Sequence, residues 1–158
     1  MSKVETKEFQ AEAKQLMMEY FARFGAVRDY LRASVEKARI DGYTETIFGR
    51  RRPFPDLTSP NRVLRENAER AALNAPIQGS AADIMKIALF RIHQDLRDSD
   101  LRSRVLLQIH DELVVEVAPG EWDRAEEIVR QRMADAATLS VPLDVEVGRG
   151  GDWNLAGH

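Results

Sequence analysis

The chain has 158 residues, 44% of them apolar, with 23 Lys and Arg against 26 Asp and Glu and a formal net charge of −3. That length buries the core of one ordinary domain, and so high an apolar fraction with so low a charge excludes a disordered tail. No run approaches the roughly 18 consecutive apolar residues of a membrane span, and residues 1–12 lack the apolar stretch of a secretory signal. There is no cysteine, which excludes disulfide scaffolds, thiolate metal sites and Cys nucleophiles. The net charge hides an asymmetry: residues 21–104 hold 16 basic and 11 acidic side chains, and residues 105–158 hold 4 and 11. A basic first part suits an anion, and an acidic last part suits cations.

Apolar residues at Phe9, Ala13, Leu16, Met17, Tyr20, Phe21, Phe24, Val27, Leu31, Val35 and Ala38 step by three and four, which predicts a helical stripe. Gly25 splits it into helices over about 6–24 and 26–40, and Asp41-Gly42 ends the second. Residues 43–48 read as a strand, Gly49-Arg50 as a turn, and residues 51–54 as a return strand confined to an edge by Pro53 and Pro55. Asn61 is a cap for the next helix. Its apolar side is Val63, Leu64, Ala68, Ala71, Ala72 and Ala75. Pro76 should end or kink it, with a new helix after Gly79-Ser80 turning Ile84, Ile87, Ala88 and Ile92 inward and fading near residues 98–100. Val105, Leu107 and Ile109 alternate with Leu106, Gln108 and His110. The run 113–117 follows so closely that the two must form an antiparallel hairpin over 104–117. A helix over 121–137 and a last alternating strand over 143–147 complete an α+β layout, an antiparallel sheet covered by helices.

The residues with chemistry in them are few. Gln108-Ile109-His110-Asp111-Glu112 puts two adjacent carboxylates at the tip of a tight hairpin, where water or a hard divalent cation must offset their repulsion. A solvated polar turn is the plainer reading, but apolar strands anchor this turn on both sides. Arg50-Arg51-Arg52 suits phosphate contacts, although a run of charge is more often just solvated. Arg70, Asn74 and Gln78 recur every four residues. They share one helical face that suits the edges of bases or sugars in a groove, or is simply an exposed polar face. His93 has no partner at metal-ligand spacing, His158 is terminal, and no phosphate-binding glycine loop is present.

Taken in order, these segments resemble the C-terminal part of family A DNA polymerases, the DNA polymerase I type, with wording closest to actinobacterial members. The resemblance rests on Tyr20-Phe21-Ala22-Arg23-Phe24, on Gly42-Tyr43-Thr44-Glu45-Thr46 leading into Phe48-Gly49-Arg50-Arg51-Arg52, and on the run from Glu69-Arg70 through Asn74-Ala75-Pro76-Ile77-Gln78 to Asp83. It continues through the His110-Asp111-Glu112 segment, similar to the family's motif C, to Val141-Pro142-Leu143 and Gly151-Asp152-Trp153. It implies an incomplete polymerase palm and fingers, with residues 1–41 a helical segment following the fingers and 42–158 the C-terminal palm portion. The palm portion would comprise a hairpin at 43–54, helices over 61–98, the motif C hairpin, a helix over 121–137 and a strand over 143–147.

The resemblance also implies roles. Asp111 would be one of two aspartates that hold a catalytic Mg²⁺ pair, Glu112 would tune that site, and His110 would approach the primer terminus. Arg70, Asn74, Gln78 and Gln108, with Arg50, Arg51 and Arg52, would meet DNA. The partners implied are primer-template DNA, deoxynucleoside triphosphates and an upstream polymerase polypeptide, with no membrane, in a bacterial or phage-derived cytoplasmic, nucleoid-associated setting. The family's first metal-binding Asp and its fingers helix lie upstream of anything in these residues. The expectation is therefore a DNA-directed DNA polymerase segment inactive alone; the alternatives are a non-catalytic DNA-binding module and an inactive remnant.

Overall fold

The computed structural model describes residues 3–157, with side chains from residue 11 onward; Phe9 of the expected stripe and His158 lie outside the described side chains. The elements are α1 (Lys3–Arg23), α2 (Gly25–Asp41), β1 (Tyr43–Glu45), β2 (Arg51–Pro53), a 3-10 turn (Pro55–Thr58), α3 (Arg62–Asp98), β3 (Arg104–Ile109), β4 (Glu112–Glu116), α4 (Trp122–Ala134) and α5 (Trp153–Ala156). This is the expected α+β class. The four strands form two separate two-stranded antiparallel sheets, β1-β2 and β3-β4. Two compact units divide the chain, residues 1–76 and 77–158, and α3 supplies residues to both.

In the first unit, α2 stops where Gly42 turns left-handed at φ 81° and its N–H donates to the carbonyl of Ala38 at 2.9 Å, a conformation that glycine adopts without penalty. Val35 and Ala38 of α2 then close a core with Phe54, Leu57, Ala68, Ala72 and Ala75. The stripe reads correctly only at this end. Leu16, Met17, Tyr20 and Phe24 stay 44–60% exposed, because no other described element of the unit covers that side of α1. Their rings pack on one another instead, Tyr20 against Phe21 and Phe24 at centroid distances of 5.4 and 4.9 Å. Asn61 caps α3 as its residue type predicts, Oδ1 accepting from the N–H groups of Val63 and Leu64 at 2.9 and 3.4 Å.

Pro76 does not end the helix. α3 runs 37 residues through it, which corrects the expected break and fresh start. Proline removes one helical hydrogen bond, a penalty of about 3 kcal/mol. Apolar burial flanks it along α3, at Ala68, Ala72 and Ala75 before and at Ile92 and Leu96 after, and opposes that penalty.

In the second unit, Ile92, Leu96, Ala125 and Ile128 form the core, with Val105, Leu113, Val115, Val117, Val129 and Met133 packed against it. The hairpin carries a bulge between Val105 and Leu107. Val105 pairs with Val115 on the core side, but Leu107 pairs with Val114, so the extra residue Leu106 reverses the alternation. Leu107 and Ile109 therefore do not share the face of Val105, as strict alternation predicts.

The expected strand over 143–147 is absent. Burial still alternates there, with Leu143, Val145 and Val147 half-buried between exposed Asp144 and Glu146, but among the described residues no strand pairs with it. The segment is held instead through side chains of α4. Arg130 Nη1 donates to the carbonyl of Val145 at 2.7 Å. Arg149 pairs with Glu126 at 2.6 Å and lies over the Trp122 ring at 4.5 Å.

Candidate active site

The hairpin β3-β4 carries the adjacent carboxylates. Ile109 pairs with Glu112, so His110 and Asp111 alone form its turn. Among the described non-glycine residues, positive φ occurs only at Asp100 and at His110, where it is 51°. A two-residue hairpin with positive φ at its first position is the type II′ pattern, in which glycine is usual. Histidine there stores roughly 1–2 kcal/mol of backbone strain. Gln108 offsets part of it, its Nε2 donating to the His110 carbonyl at 3.0 Å across the turn.

Asp111 and Glu112 are exposed, and among the described residues neither pairs with a cation, although Arg104 and Glu116 pair across the foot of the same hairpin at 2.6 Å. Asp111 in the turn and Glu112 at the first position of β4 are two hard, exposed carboxylates of the kind Mg²⁺ takes, one or two from the protein, with water and phosphate completing its shell. No group of three or more His, Asp or Glu gathers among the described residues, so the turn supplies a partial ligand set.

A second set of contacts fixes the base of this hairpin and was not legible in the sequence. The Glu121 carboxylate accepts from the Arg102 N–H at 3.0 Å, the Ser103 N–H at 2.9 Å and the Ser103 hydroxyl at 2.6 Å. Ser103 Oγ in turn accepts from the Ala118 N–H at 3.1 Å. One Ser-Glu pair thus ties the entry to β3 and the exit from β4 to the start of α4. The Ser103 hydroxyl first, then the Arg102 N–H, hold the Glu121 carboxyl down at about 2. The Pro119-Gly120 turn before an acidic residue is a weak sequence signal for Glu121; Ser103 has none.

Arg70, Asn74 and Gln78 are all exposed along α3, so the row predicted from their spacing is real, and Arg70 Nη2 bonds to Asn67 Oδ1. The three arginines of the first hairpin stand differently. Arg51 Nε donates to Glu45 at 2.8 Å and its guanidinium lies 4.5 Å over the Tyr43 ring. Arg52 lies 5.1 Å over Phe54. The Arg50 backbone closes the turn, its carbonyl accepting from the Thr46 N–H at 3.0 Å and its N–H donating to Thr46 Oγ1 at 3.2 Å. The structure thus brings His110, Asp111, Glu112 and Gln108 together at one turn, Arg70, Asn74 and Gln78 on one helix, and Arg50 to Arg52 in a separate hairpin.

The sequence profile of DNA polymerase family A matches residues 3–155. The chain belongs to that family. It is 60% identical over 147 residues to DNA polymerase I of Mycobacterium bovis, covering 93% of this chain and 16% of that protein. It is 46% identical over 142 residues to DNA polymerase I of Caldicellulosiruptor bescii, covering 90% and 17%. Among solved structures it is similar to the POL domain of Pol1 from M. smegmatis in complex with DNA primer-template and dNTP, with a TM-score of 0.91 and 58% identity over 94% of this chain and 26% of that one. The family A chain thus spans about 16% of the length of the mycobacterial relative. Polymerases of this family work with a pair of Mg²⁺ ions, and no helix among the described residues is long and apolar enough to cross a membrane.

Proposed function

We propose that these residues form the C-terminal palm part of a DNA-directed DNA polymerase of the bacterial cytoplasm. The reaction is template-directed transfer of a deoxynucleotide to a primer 3′-hydroxyl, with release of pyrophosphate. The observation that carries this reading is the match, at 58% identity and a TM-score of 0.91, to a polymerase domain solved with primer-template and dNTP. The two unpaired carboxylates on the β3-β4 turn support it, since a module that only bound DNA would gain nothing from bare anions facing phosphates.

In this reading Asp111 and Glu112 would hold Mg²⁺ together with a carboxylate that these residues do not supply. Mg²⁺ bound there would lower the pKa of the primer hydroxyl and neutralise charge on the transferring phosphoryl group. His110 lies beside the primer terminus. Arg70, Asn74, Gln78 and Gln108 contact the minor groove, where every correct base pair offers purine N3 or pyrimidine O2 acceptors. Arg50, Arg51 and Arg52 flank the duplex phosphates, Arg51 only after exchanging its Glu45 partner. Residues 1–41 follow the fingers, and 42–158 belong to the palm.

Primer extension with Mg²⁺ and all four nucleotides tests the proposal, using the 158-residue chain alone and mixed with a separately made upstream palm-and-fingers polypeptide. Incorporation is expected in the mixture only. It should fall about a thousandfold in Asp111→Ala, a loss in keeping with several kcal/mol of charge stabilisation. Extension by the chain alone, or a mixture indifferent to Asp111→Ala, would overturn the assignment.

A further inference from the structure

The second half of α3 carries a feature that the polymerase reading does not use. Lys86, Phe90, His93 and Arg97 are exposed and recur at steps of four, three and four. At 3.6 residues per turn they fall within about 60° of arc and span about 16 Å of helix. Phe90 is 64% exposed, with Lys86 one turn before it and His93 and Arg97 one and two turns after.

The partners of the other cations make this stripe unusual. Within residues 77–158, Arg102, Arg104, Arg124, Arg130, Arg132 and Arg149 all pair with carboxylates. Arg91 donates to the Asp135 carbonyl at 2.8 Å. Among the described residues of that unit, Lys86 and Arg97 are the cations that have no such acceptor. Of the nearby acids, Asp95 is engaged by Arg132, Asp83 is half-buried, and Asp98 projects about a quarter turn away from the stripe.

We propose that this stripe is a binding site for single-stranded nucleic acid, separate from the groove-facing row that ends at Gln78. A base stacks on the Phe90 ring, the phosphates on either side meet Lys86 and Arg97, and His93 supplies a further ring or donor. A lone exposed aromatic is ordinary on a protein surface. An exposed aromatic set between two unpaired cations on one helical face has the charge and the stacking plane that single strands bind, with little dependence on sequence. The strand polarity is left free by this arrangement, since either direction places a phosphate on each cation.

The test is a titration of the isotopically labelled 158-residue chain with an oligothymidylate of about eight nucleotides, read by NMR. The Phe90 ring and the amides of residues 86–97 are expected to shift. Phe90→Ala should weaken that response about tenfold, which lies within the range of one base stacked on an aromatic ring. The paired change Lys86→Gln and Arg97→Gln should lower the slope of log affinity against log salt by about 1.4, or about 0.7 per phosphate. An Arg70→Ala, Gln78→Ala protein should keep the signals at 86–97, so failure of the groove-facing row and failure of this site are separate results. Shifts absent from 86–97, or unchanged in both variants, overturn the site. Shifts that follow protein concentration rather than added oligonucleotide overturn it in favour of contact between copies of the chain.

Discussion

The two hairpins of this chain are built on opposite terms. The first, β1-β2, meets its need for positive φ with a glycine, Gly49 at φ 83°, and settles its charges internally. Arg51 bonds Glu45 and covers Tyr43, and Arg52 covers Phe54. The second, β3-β4, places a histidine at positive φ and leaves Asp111 and Glu112 without a cation among the described residues, while its foot is tied by Arg104–Glu116 and by the Ser103–Glu121 pair. Strain and unpaired charge gather at the tip, and satisfied contacts gather at the base. That contrast marks the second turn as a place where an outside cation completes the chemistry, and the first as a hairpin whose own residues satisfy its turn.

The largest effects should come from the cores beneath the two hairpins. Leu57 and Ile92 are almost wholly buried, and Leu57→Ala or Ile92→Ala should each destabilise by about 2–5 kcal/mol. Amide hydrogen exchange separates the two. Leu57→Ala is expected to expose the β1-β2 amides first, and Ile92→Ala the β3-β4 amides. Loss of both sets together in either variant would show that the hairpins share one cooperative unit and would break the comparison.

Ser103→Ala comes next. Ser103 is buried, and its hydroxyl both donates to Glu121 and accepts from Ala118. Its loss leaves the Ala118 N–H without that acceptor and should destabilise by about 1–3 kcal/mol in chemical denaturation. The same pair sets an acid limit. Because the folded Glu121 carboxyl lies at about 2, below its ordinary 4.5, its contribution is complete above about pH 4.5. It is lost as pH falls through about 2. Glu121→Gln should abolish that part of the acid profile, and Ser103→Ala, which removes the largest cause of the depression, should narrow it. An acid profile unchanged in Glu121→Gln would dismiss the clamp.

Much of this arrangement was readable in residues alone. Asn61 as a cap, Gly42 as a helix stop, the tight turn at His110-Asp111 and the exposed row of Arg70, Asn74 and Gln78 follow from local rules, because each depends on neighbours one to four positions away. The failures share a cause. Pro76 sits within a helix that distant cores grip on both sides of it, residues 143–147 have no strand beside them among the described residues, and the bulge at Leu106 turns Leu107 and Ile109 to the face opposite Val105. The exposed side of α1 reads as core in sequence, since periodicity reports that a face is apolar and not what covers it. Ser103 joins Glu121 across 18 residues, a distance at which no spacing rule operates.

The smallest effect is also the one that bears most closely on the comparison. If His110 holds strain for the sake of the turn's chemistry, His110→Gly should relax the backbone and raise stability by about 1 kcal/mol, the difference between glycine and an L-residue at positive φ less glycine's greater entropy when unfolded. The same change should lower primer extension in the reconstituted mixture, because a looser turn no longer holds the Asp111 carboxylate in one place. Gain of stability with loss of activity would mark the turn as a site where the fold gives up some stability to keep a side chain in position. A destabilised His110→Gly protein would mean that the histidine ring or the Gln108 contact secures the turn more strongly than φ strains it. The second hairpin would then be as self-sufficient as the first, and the unpaired carboxylates alone would remain to set it apart.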